Sequence, residues 1–87
     1  MEFITSYVSN NYVIDLKPVK KELMNLAHDI YMDRADAYEA HSRAQGIIQR
    51  VRYNSRQGLQ YKVEFVEAVK DAVSRGLIAA LEAVETN

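Results

Sequence analysis

"RVRYNSRQGLQYK", residues 50–62, is where the helical pattern of the chain stops and starts again. Asn54 and Ser55 can bond their own backbone, and Gly58 accepts φ values that other residues avoid, so the stretch reads as a turn. Upstream, taking Leu23 as heptad position a puts Leu23, Ile30, Ala37, Ala44 and Val51 in one register. Position d then holds Leu26, Asp33, Ala40, Ile47 and Asn54, with Asp33 and Asn54 as polar exceptions. A second apolar row, Met24, Ala27, Tyr31, Tyr38 and Ile48, runs beside the first. The spacing predicts one amphipathic helix over residues 18–52, about 50 Å long at 1.5 Å per residue. Pro18 suits its first turn. Downstream, Val66, Val69, Val73, Leu77, Ala80 and Val84 recur at helical spacing and predict a second helix over 59–85. Beside them Ala68, Ala72, Gly76, Ala79 and Ala83 form a row small enough for a neighbouring helix to come close. Residues 53–58 are then the bend of an antiparallel helical hairpin.

Ahead of the helices, residues 2–8 and 12–16 are rich in β-branched and aromatic side chains, with Ser9, Asn10 and Asn11 between them. Asn tolerates positive φ, so residues 1–16 read as a β-hairpin with a short turn. The expected fold is α+β and mostly helical: an N-terminal β-hairpin followed by a long antiparallel helical hairpin, in one domain over residues 1–87. A chain this short buries a modest fraction of its surface, so an oligomer is expected.

The same stretch holds the chain's charge anomaly. The net charge is −1, yet residues 40–63 contain no Asp or Glu and carry Arg43, Arg50, Arg52, Arg56 and Lys62. Basic residues near a helix C-terminus complement its dipole, which covers Arg50 and Arg52. Arg56 and Lys62 flank the start of the next helix, where positive charge opposes the dipole and free N–H groups favour anions. Arg43, Arg50, Arg52, Tyr53, Arg56, Gln57 and Lys62 are therefore the candidate partner- or anion-binding residues. Three occupants fit them: an acidic protein, nucleic acid or a nucleotide, and an acidic part of a second copy. The acidic overall charge and the lack of any nucleic-acid motif weigh against a dedicated nucleic-acid binder.

Self-association has a specific form in the sequence. Position g reads Glu22, Asp29, Asp36, Arg43, Arg50, Gln57, acidic then basic. Two antiparallel copies centred near Glu39 and Ala40 would set Asp36 beside Arg43 and Asp29 beside Arg50, with Ile30 on Ile47 and Leu26 on Val51. Leu26, Ile30, Asp36, Arg43, Ile47 and Val51 are the candidate self-association residues. Asp33 is the awkward member, facing Ala44.

Chemistry finds little support. There is no Cys, hence no disulfide, thiolate metal site or cysteine nucleophile. Asp29, Asp33 and Asp36 share one face of the expected helix but lack the Glu-x-x-His spacing of helical di-metal sites. They read as a solvated face, so no metal or other cofactor is expected. Ser42 follows His41 directly, and adjacent helical residues do not face each other. Tyr31 and Tyr38 read as core aromatics under the hairpin. No apolar run is long enough to span a membrane, and residues 1–11 lack a signal-peptide block. These readings converge on a cytoplasmic, non-enzymatic regulatory or inhibitory protein that self-associates. It engages a macromolecular partner through the basic bend, most readily an acidic protein, with nucleic acid or a nucleotide as the alternative. Size and composition also suit an accessory protein of a phage or other mobile element, by association only.

Overall fold

The computed structural model describes residues 4–86. Two short strands come first, β1 (Ser6–Ser9) and β2 (Tyr12–Asp15), paired antiparallel with Tyr7 opposite Ile14 and Val8 opposite Val13. The loop between them is Asn10–Asn11, with φ of 48° and 66°. Two successive positive φ values give the turn whose twist matches that of the flanking strands, as the two asparagines suggest. Residues 2 and 3 of the expected first strand lie outside the described residues. Tyr7 and Ile14 point inward and are buried, whereas Val8 and Val13 point outward and are 66% and 70% exposed.

Leu16, fully buried, leads into a 3₁₀ turn at Lys17–Val19 containing Pro18. The Lys17 N–H donates to Asp15 Oδ1 at 2.9 Å. Helix α1 then runs over Lys20–Tyr31 and helix α2 over Ala37–Tyr53. The single long helix expected over 18–52 is thus two helices. The break is built from the backbone. Asp33 takes a left-handed φ of 58°, the Arg34 N–H donates to the Asp29 carbonyl at 2.7 Å, and the Asp33 N–H donates to the Ile30 carbonyl at 3.1 Å. This is the paired-bond ending that closes many helices, here with Asp in place of the usual Gly. Three residues on, Asp36 caps α2 by accepting from the Glu39 N–H at 2.8 Å.

The break also overturns the register drawn between two copies, which needed one continuous helix. The acid-then-base row folds back on itself instead. Arg43 Nη1 meets Asp29 Oδ2 at 2.8 Å and Arg50 pairs with Glu22. These residues lie seven and fourteen positions either side of Asp36. Antiparallel complementarity is therefore satisfied within one chain, between α1 and α2. Leu26 and Ile47 are buried in the chain's own core, and Ile30 and Val51 pack against it.

Helix α3, Val63–Glu85, is the element on which the others pack. Phe65, Ala68, Val69, Ala72, Val73, Gly76, Ala80 and Ala83 form its buried face. A Cβ at Gly76 would sit 2.6 Å from Leu16 Cδ1 and 3.4 Å from Leu23 Cδ1, so hairpin and α1 both close on the helix there. The small-residue row does allow close approach, at Gly76 to Leu16 and Leu23. Tyr31 and Tyr38 are not core aromatics: they are 53% and 84% exposed, at the broken ends of α1 and α2. No described helix is long and apolar enough to cross a membrane.

Candidate binding site at the bend

The connection between α2 and α3 is longer than the bend expected at 53–58. Asn54 ends α2, Gly58 takes a φ of 93°, a 3₁₀ turn covers Leu59–Tyr61, and α3 starts at Val63. Side chains hold this segment in shape. Arg52 donates from Nε and Nη2 to the Gln60 carbonyl, at 3.2 and 2.8 Å. Gln60 Oε1 accepts from the Gly58 N–H at 2.9 Å, and the Ser55 hydroxyl donates to the Val51 carbonyl at 2.9 Å. The Arg52 guanidinium lies over the Tyr53 ring at 5.4 Å, and Tyr53 meets Tyr61 edge-on at 6.2 Å between centroids. The hairpin tip ties in as well, through Asn10 Nδ2 donating to the Glu64 carbonyl at 3.1 Å.

This accounting divides the basic window. Arg43 and Arg50 are ion-paired to α1, and Arg52 braces the bend. The side chains of Arg56, Gln57 and Lys62 have no partner among the described residues. The seven candidate residues are therefore not one site. Arg43 and Arg50 hold two helices together, Arg52 and Tyr53 shape the loop, and Arg56, Gln57 and Lys62 are left to meet something else.

Arg56 belongs to a groove of about 470 Å³ between β2 and the bend. One wall is residues 11–15. Asn54, Ser55 and Arg56 also line it, with Pro18, Val19, Val51, Leu59 and Phe65 as its apolar surface. Residues 11–15 are five in a row, and strand side chains alternate between faces. All five line one groove because the groove runs along the strand's edge. The sequence reading missed the contribution of β2, Val19, Leu59 and Phe65. The pairing of a strand with a bend some 40 residues later leaves no local trace, although the hairpin itself was legible.

Asp29, Asp33 and Asp36 no longer share a helical face, since the break separates them. Asp29 pairs with Arg43 and Asp36 caps α2. Among the described residues no group of three or more His, Asp or Glu side chains is placed to hold a metal ion. Burial holds the Tyr7 phenol above the ordinary tyrosine value, Arg75 lowers it and Glu82 raises it. In comparisons with known proteins, no family model matches the chain, and no curated protein or solved structure does either.

Proposed function

We propose that this chain is a small binding module, with no reaction of its own, that regulates or inhibits a macromolecular partner held in the groove between β2 and the bend. The partner is a protein whose contacting segment is acidic. The observation that carries this is the division of the basic window. Three arginines are consumed inside the fold, and the Arg56 side chain, without a partner among the described residues, stands on a groove that also carries an apolar surface of Pro18, Val19, Val51, Leu59 and Phe65. An apolar cleft with one or two fixed polar groups is the usual form of a recognition site. Among the described residues the groove is lined by one cation, Arg56, and one acid, Asp15, and an acidic group of the partner is favoured at Arg56. Cytoplasmic residence and self-association belong to the same proposal. Any self-association uses a surface other than the α1–α2 seam.

A second reading rests on a different observation. Tyr53 and Tyr61 are an exposed aromatic pair next to Lys62, which offers stacking and a phosphate contact to single-stranded nucleic acid. A display selection of short random peptides separates the two. In the proposed reading, acid-bearing peptides are enriched on the wild-type chain and lost on the Arg56→Gln, Lys62→Gln double variant, while a labelled oligonucleotide of thymidines does not bind. Oligonucleotide binding that falls steeply with salt, with no peptide enriched, gives the site to nucleic acid instead.

A further inference from the structure

We infer that the groove takes its partner as an added β-strand, laid along the free edge of β2, with a carboxylate of that segment on Arg56. This rests on the proposal that the groove binds protein. The ladder shows which groups are open. In an antiparallel pair, opposed residues alternate between pairs that exchange backbone hydrogen bonds and pairs whose N–H and C=O point away from each other. The Leu16 N–H donates to the Thr5 carbonyl at 2.6 Å, which puts Thr5–Leu16 in the bonded class. Alternation puts Tyr7–Ile14 and Ser9–Tyr12 there too, given the register. Val8–Val13 and Ser6–Asp15 are then the outward pairs. The Val8 carbonyl supports this, since it accepts from Arg75 Nη1 at 3.2 Å on the far side of β1.

The backbone groups of Val13 and Asp15 therefore face away from β1, along the groove, and have no partner among the described residues. An extended segment satisfies both residues at once. An unpaired strand edge is a template for another chain, and proteins cover or blunt the edges they do not use. Here Arg75 takes the Val8 carbonyl on the β1 edge, whereas no side chain among the described residues takes a backbone group of Val13 or Asp15 on the β2 edge. In a strand laid on β2, alternate side chains enter the apolar surface of Val19, Val51, Leu59 and Phe65. The other set continues the outer face beside the exposed Val13. Asp15 and Arg56 line the groove with opposite charges, so they fix the direction of the segment as well as its composition: its acid lies at Arg56 and a basic or neutral residue at Asp15.

The test uses the peptides enriched on the wild-type chain. Amide hydrogen exchange is read by NMR with and without peptide. Exchange at Val13 and Asp15 is expected to slow by at least about tenfold on binding, while Tyr12 and Ile14, already in the ladder, change little. N-methylation along the peptide should abolish binding at alternate positions and spare those between. Val13→Pro removes an outward N–H where an edge strand tolerates proline, and should weaken binding at unchanged helical content. Peptides that depend on Arg56 but leave Val13 and Asp15 in fast exchange and show no alternation overturn the strand mode alone. If no peptide is enriched, the protein-binding reading and this inference both fall. Slowing of the same two amides with rising protein concentration, without peptide, makes a second copy the occupant and overturns the proposal.

Discussion

The two edges of the hairpin differ in where an arginine is spent. On the β1 side, Arg75 donates to the Val8 carbonyl, lies over the Tyr7 ring at 4.8 Å and meets Asp71 at 3.5 Å. Tyr7 and Leu16 press on α3 at Gly76 from the inner face of the hairpin, which seats both strands on that helix. On the β2 side the strand borders a groove, and the cation there has no partner among the described residues. Two arginines of one chain, each near a strand edge, are thus in different situations. One completes the fold, and the other contributes nothing visible to it. The difference teaches that positive charge alone marks no site. What marks one is charge left over after the fold's own polar groups are satisfied.

If the contrast is real, substitutions should sort by side. The largest effect belongs to Leu16→Ala, which empties a fully buried position between the hairpin and α3. It should cost about 2–5 kcal/mol in urea unfolding; a loss under about 1 kcal/mol would mean the hairpin is not seated on α3. Gly76→Val is next. The added methyls collide with Leu16 and Leu23, and overpacking of this kind costs about 1–3 kcal/mol. Asp36→Ala probes what positions α2, whose end carries the far wall of the groove. Loss of the cap should lower stability by about 1 kcal/mol, with Asp36→Ser recovering most of it.

A smaller effect lies at high pH. The Tyr7 phenol is raised by burial, so the folded state favours its protonated form. Its contribution is complete below the unfolded-state value near 10 and is lost as pH rises from there towards the folded value. Alkaline titration of tyrosine absorbance should show one late group, and Tyr7→Phe should remove it. The smallest effect is on the open side. Arg56→Gln should leave stability within about ±0.5 kcal/mol, while abolishing the enrichment of acidic peptides. A stability loss as large as that of Leu16→Ala would place Arg56 in the fold and erase the contrast.

Much of this architecture is legible in the residues, and the failures have physical causes. Asn10–Asn11 announced the hairpin because positive φ is cheap for Asn, and the valine and alanine rows announced α3. The break at residues 32–36 was hidden because it uses neither Gly nor Pro. Asp33 takes the left-handed position at a d site, where it had stood out only as awkward. Asp36 followed by Glu39 was the available sign, since acids at the cap and first turn favour a helix start. The acid-then-base order of the g row was legible, but it was given to two chains and to a different register: Arg43 pairs with Asp29 rather than Asp36, and Arg50 with Glu22 rather than Asp29. A row that is antisymmetric about its midpoint serves a hairpin as well as a dimer, and only the break decides between them. The basic bend was visible, whereas the free edge beside it required the docking of the hairpin.

The contact between Arg75 and Val8 spans 67 residues of chain. A ribosome adds roughly 5–20 residues per second, so a nascent hairpin waits several seconds for the helix that seats it. A two-stranded hairpin is marginal by itself in water. The ion pairs of α1 and α2 close around Asp36 over shorter spans, although their buried faces also wait for α3. Synthesis therefore presents the hairpin before the helix that seats it, and the Val8 carbonyl that Arg75 will take stays available to other chains until residue 75 has left the exit tunnel.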